Sequence, residues 1–145
     1  GRGGELRFVP ADSLVEVRRT GVRLAFQSFP LVLWHNGEVH PFIREPGHPI
    51  DLGHRDARLA LGELRDGRWL IALTRFEGLG GALDALPFGL TTPEMAALLG
   101  ALGCREAVLL DGGVSGQVMV KDSAGVAHQW HGLRKVPLGL VIFPE

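Results

Sequence analysis

Cysteine is nearly missing from these 145 residues: Cys104 stands alone, so neither an internal disulfide framework nor a multi-cysteine zinc site can be built. No apolar run approaches the roughly 20 residues that span a bilayer. A dominant charge is missing as well. Lys+Arg 15 against Asp+Glu 16 leaves a net charge of -1, which excludes broad electrostatic adhesion to nucleic acid or an anionic membrane. Lysine is scarce, since only Lys121 and Lys135 among the 15 basic residues are not arginine. Linkers, low-complexity tracts and repeats are also lacking, and one domain over residues 1–145 is expected. What is abundant is glycine, 21 residues, about twice the usual share, which signals tight turns and close backbone approaches. Hydrophobic residues at 46% and charged residues at 21% are ordinary for a globular domain rather than a disordered chain.

Most segments have the alternation and turn chemistry of short strands. Residues 31–35 and 38–42 flank Asn36-Gly37, and residues 58–65 and 68–75 flank Asp66-Gly67, both strong signals for two-residue hairpins. Residues 116–121 and 126–130 flank a turn at 122–125, while 23–28 and the apolar 136–143 are further candidate strands. A single segment has helical chemistry. Thr91-Thr92-Pro93-Glu94 combines a capping box with a first-turn proline, Met95, Leu98, Leu99 and Leu102 follow at helical spacing, and Gly103 suits a left-handed stop. The helix is expected over residues 92–102, with those four side chains buried. Residues 107–110 then form a short apolar strand, and 78–89 a glycine-rich loop. The unit of strand 68–75, helix and strand 107–110 predicts a parallel step. The expected class is α+β: a mixed, mostly antiparallel sheet with β-hairpins and one main crossover helix.

The arginines point to a site. A two-residue turn with Arg65 opposite Arg68 places Arg58 opposite Arg75, and directly opposed like charges destabilise a strand pair by about 0.2–1 kcal/mol. A bound anion or a shared carboxylate would relieve them, unless the register slips by one or both side chains reach solvent. The crossover brings Arg75 and Asp111 to the same carboxyl edge, with Arg58 beside them. The following Asp111-Gly112-Gly113-Val114-Ser115-Gly116 turn would offer backbone N–H groups, a carboxylate and a hydroxyl to a ligand. His35, His40, His48, His54, His128 and His131 show no helical metal-site spacing, so neither a metal nor a cofactor is expected. Ser115 has no nucleophile-elbow context.

Several blocks resemble the phosphodiester glycosidase domain family. They are Gln27-Ser28-Phe29-Pro30-Leu31-Val32; Arg58-Leu59-Ala60-Leu61-Gly62 with Asp66-Gly67 and Arg75; Gly89 to Ala96; and, above all, the apolar strand running into Asp111-Gly112-Gly113-Val114-Ser115. Leu59 stands where the family usually has threonine, and Thr74 where it usually has glycine. The resemblance spans about Gln27 to Phe143. The family's asparagine-glycine-aromatic segment has no counterpart before Gln27, which implies either a fragment lacking an N-terminal part or a shortened relative with an incomplete active site. It implies a hydrolase that cleaves the glycosidic bond of a sugar-1-phosphodiester, with Asp111 catalytic. Arg58, Arg75, Gly112, Gly113 and Ser115 would bind substrate, and Asp56 or Glu77 would be the nearest second carboxylate. The alternative is a non-catalytic glycan- or anion-binding module on the same scaffold. Either way the partner is a glycosyl-phosphate or other anionic carbohydrate, with no nucleic acid and no membrane span, and the oligomeric state stays open.

Overall fold

The computed structural model describes residues 32–44, 50–75, 89–137 and 139–142. The first hairpin joins β1 (Val32–His35) to β2 (Glu38–Val39), with Trp34 opposite Val39 and His35 opposite Glu38. Asn36 (φ 54°) and Gly37 (φ 80°) are both left-handed, as the favoured two-residue turn demands. Strand β2 is shorter than expected. Pro41 has no N–H for a ladder, and Pro41–Ile43 instead forms a 3-10 turn capped by His40, whose Nδ1 accepts the Phe42 N–H at 3.3 Å.

The second hairpin, β3 (Arg58–Leu64) and β4 (Trp69–Thr74), forms with a different register. Leu64 N–H donates to Arg68 O at 2.8 Å, and Gly67, at φ 83°, donates to Leu64 O at 3.0 Å. The loop is therefore the three residues Arg65-Asp66-Gly67, and Arg58 pairs with Thr74 rather than Arg75. The Asp66 carboxylate draws the third residue in by accepting the Arg68 backbone N–H at 3.1 Å and its Nε at 2.8 Å. One residue of slip flips the face, so Arg75 does not share a face with Arg58. The opposed pair of arginines does not exist.

Helix α1 (Thr92–Ala101) starts with the expected capping box between Thr91 and Glu94, and Gly103 follows it at φ 89°. Its buried stripe is Thr92, Met95, Ala96 and Leu99; Leu98 is half-buried and Leu102 is 50% exposed, so the apolar face is rotated from the expected one. Met95, Ala96 and Leu99 pack with Leu33, Ala60, Ala107 and Leu109, and Leu98 lies against that core. Gly100 admits the Trp34 ring, since a Cβ there would lie 2.2 Å from it, and Trp34 Nε1 donates to Ala96 O at 2.7 Å.

Strand β5 (Cys104–Leu110) begins earlier than expected and enters between β1 and β3, giving a sheet of order β2-β1-β5-β3-β4. All four neighbouring pairs are antiparallel. The predicted parallel step is absent because β3 lies between β4 and β5. Ala60, Leu61 and Gly62 are buried, and a Cβ on Gly62 would sit 2.7 Å from Cys104 Sγ, so β3 suits an interior position. The fold is α+β with a mostly antiparallel sheet.

A separate two-stranded sheet joins β6 (Val118–Lys121) and β7 (Ala127–Trp130) through the expected turn, where the Asp122 carboxylate accepts the N–H groups of Ala124 and Val126, both at 2.9 Å. No strand forms over 136–137 and 139–142. An apolar run needs a ladder partner to become a strand, and Leu140, Val141 and Ile142 stay exposed. The candidate strand 23–28 and most of the glycine-rich loop lie outside the described residues. Among the described residues no helix is long and apolar enough to cross a membrane.

Candidate active site

Strands β4 and β5 each run antiparallel to β3. Their carboxyl ends therefore share one edge with the amino end of β3, which brings Arg75, Asp111 and Arg58 together along it. After β5 the chain turns at Asp111-Gly112 into a 3-10 turn, Gly113–Ser115. This turn is pressed against the entry to β3. Gly113 N–H donates to Ala57 O at 2.8 Å; a Cβ on Gly112 would lie 2.3 Å from Ala57 O, and one on Gly113 2.6 Å from Asp56 Oδ2. Glycine is thus needed for close backbone approach. The expected N–H cradle is not open at these positions, because Ser115 N–H donates to Gly112 O at 3.1 Å and Gly116 N–H to the same oxygen at 3.1 Å. Ser115 is 5% exposed and lies beneath the turn rather than at its surface.

The arginines reach the edge but grip different segments. Arg58 Nε donates to Leu90 O at 2.9 Å and its Nη2 to His54 O, which ties the 54–58 and 89–90 segments together. Burial pushes the Arg58 guanidinium below its ordinary pKa, while the charges of Asp56 and Asp51 push the other way. Arg75 Nη1 donates to His131 O at 2.8 Å. Asp56 lies against Gly113, and its Oδ1 accepts the Ala57 N–H at 2.8 Å. Glu77 lies outside the described residues.

Asp111 projects into solvent, and its Oδ2 is 3.7 Å from Arg134 Nη2, the side chains being 69% and 66% exposed. Arg134 was not expected here. The β6–β7 hairpin returns the chain over the turn, where Leu133 and Arg134 N–H both donate to Val114 O, at 2.7 and 3.1 Å. Gly132 permits this, since a Cβ there would sit 3.0 Å from Val114 O. Its glycine following β7 was the one local hint.

The opposite end of β5 carries a second charged cluster. Glu63 and Glu106 are register partners, and each has its own relief: Glu106 accepts from Asn36 N–H at 2.8 Å and pairs with His35 Nδ1 at 2.9 Å, while Glu63 lies 3.6 Å from Arg105. Among the described residues no group of three or more His, Cys, Asp or Glu is gathered as a metal site would be.

No curated protein matches the chain. A family match does exist, and it extends upstream of the Gln27 motif to residue 2. Because that match covers residues 2–143, including Arg58, Arg75 and the Asp111 turn, the chain belongs to the phosphodiester glycosidase family.

Proposed function

We propose that the chain hydrolyses the glycosidic bond of a sugar-1-phosphodiester and that Asp111 carries the chemistry. The family name supports the reaction class. The observation that carries the assignment is the exposed Asp111 carboxylate at the edge where Arg58, Arg75 and the glycine turn meet. The group that leaves the anomeric carbon is a phosphate monoester, a weak base, so its departure needs little protonation. One positioned carboxylate then suffices as general base. In the proposed step Asp111 takes a proton from water as the water oxygen bonds to the anomeric carbon. The bond from that carbon to the phosphate oxygen breaks with its electron pair, giving free sugar and a phosphate monoester. The proton on Asp111 passes to solvent. Gly112, Gly113 and Ser115 shape the turn that aims Asp111, while Arg58 and Arg75 brace the segments around the substrate and add positive potential for an anion.

The test is release of free sugar from methyl phosphodiesters of sugar-1-phosphates. Asp111→Asn should lower the rate by about 10²–10⁴-fold, the usual range for general acid–base catalysis. Its thermal midpoint should stay close to the parent's, since the side chain is exposed. Unchanged turnover in Asp111→Asn would remove this residue from the mechanism. Diester binding without sugar release would favour the non-catalytic module.

A further inference from the structure

We infer that Arg134 is the arginine that holds the substrate's phosphate, an inference that rests on the sugar-phosphodiester reading. Arg58, Arg75 and Arg134 differ in what their guanidinium groups already do at this edge. Arg58 donates from Nε and Nη2 to the backbone oxygens of Leu90 and His54. Arg75 donates from Nη1 to His131 O. Arg134 is different: its side chain is 66% exposed and faces the Asp111 carboxylate at 3.7 Å, too long for a hydrogen bond. It keeps the planar fork of donors that fits phosphate oxygens in pairs.

Its backbone, by contrast, is held. Val114 O accepts from both Leu133 and Arg134, Gly132 lets the strands of chain approach, and Gln117 Nε2 donates to Arg134 O at 3.5 Å. The residue that places Arg134 is therefore the same turn that places Asp111. A charged fork beside the general base can take up the negative charge that develops on the departing phosphate, while Asp111 stays directed at the water. The loose Asp111 pair is easily exchanged for a phosphate pair, because an exposed ion pair contributes little to stability.

The test uses the full chain, with inorganic phosphate and the methyl sugar-1-phosphodiester as titrants in calorimetry and with sugar release measured in parallel. Arg134→Ala should weaken binding of both by about 10–100-fold, the loss expected for charge-assisted hydrogen bonds, with the thermal midpoint kept. Arg134→Lys should recover part of that affinity as a point charge. In kinetics Arg134→Ala should raise KM and lower kcat, whereas Asp111→Asn should lower kcat while phosphate binds as well or better. Undiminished diester binding by Arg134→Ala overturns the inference, and so does a parent chain that binds neither titrant. The two readings fail separately. A chain that binds the diester through Arg134 but releases no sugar sinks the hydrolase and keeps Arg134. Equal sugar release by parent and Arg134→Ala sinks Arg134 and keeps the hydrolase.

Discussion

A methyl group at Gly112 would lie 2.3 Å from the Ala57 carbonyl oxygen, and a backbone atom cannot swing aside as a side chain can. Gly112→Ala should therefore destabilise the fold by about 1–3 kcal/mol, the range for overpacking. It should also displace Asp111, so denaturant midpoint and sugar release should fall together. At Gly113 the obstacle is the Asp56 carboxylate at 2.6 Å, added to a left-handed φ of 54°. The helix offers a cleaner contrast between neighbours. Leu99 is fully buried against the sheet while Leu98 is half-buried. Leu99→Ala should lose about 2–5 kcal/mol through cavity formation, and Leu98→Ala distinctly less. Equal losses in chemical denaturation would show that both sides of the helix are packed alike.

At the scale of elements, hydrogen-bonded carboxylates hold several of the turns and caps. Backbone hydrogen bonding to Thr91, then the Arg55 guanidinium, lowers the pKa of Glu94 at the helix start. Backbone and side-chain hydrogen bonds from Arg68 do the same for Asp66 in the β3–β4 loop, and bonds from His128 and Val126 for Asp122 in the β6–β7 turn. A depressed folded-state value means that the contribution is complete above the ordinary carboxylate range and is lost as pH falls through the lowered values. Thermal midpoints should accordingly drop on acidification through that window. Glu94→Gln keeps an acceptor for the cap but cannot be protonated, so it should flatten part of that dependence. Thr91→Ala removes the acceptor for the Glu94 N–H and should lower stability by about 0.5–2 kcal/mol at neutral pH.

The candidate site is a property of the whole molecule, since residues 54–58, 75, 111–115 and 131–134 meet only after the sheet has formed. The segment at 131–134 is held from two sides: Arg75 donates to His131 O, and Val114 O accepts from Leu133 and Arg134. Arg75→Ala removes the first hold. Hydrogen exchange at the Leu133 and Arg134 amides should quicken, and sugar release should slow even though Arg75 is distant in sequence from Asp111. Unaltered exchange would mean that the Val114 bonds suffice. Ligand binding should act on the same scale, because an anion bound only by the folded chain stabilises it by mass action. Inorganic phosphate should raise the thermal midpoint of the parent chain, and added neutral salt should reduce that rise by screening.

What the sequence by itself determined was local chemistry. Asn36-Gly37 forms its two-residue turn because both positions tolerate a left-handed backbone, and Thr91 with Glu94 closes a capping box because three residues separate donor from acceptor. Gly103 ends the helix for a related reason, and the apolar strand into Asp111-Gly112-Gly113 forms at the expected residues, within the family match over residues 2–143. Tertiary structure decided the rest. The ladder between β3 and β4 set Arg58 against Thr74 and left Arg65-Asp66-Gly67 as a three-residue loop. Strand β5 chose the slot between β1 and β3, which removed the parallel step but kept Arg58, Arg75 and Asp111 on one edge. Residues 136–137 and 139–142, apolar enough for a strand, have no ladder partner among the described residues. Arg134 reaches Asp111 only through a hairpin that folds back over the turn. Periodicity and turn residues record what a segment's neighbours in the chain demand. They do not record which distant backbone will offer it hydrogen bonds, and that choice placed the arginine beside the carboxylate.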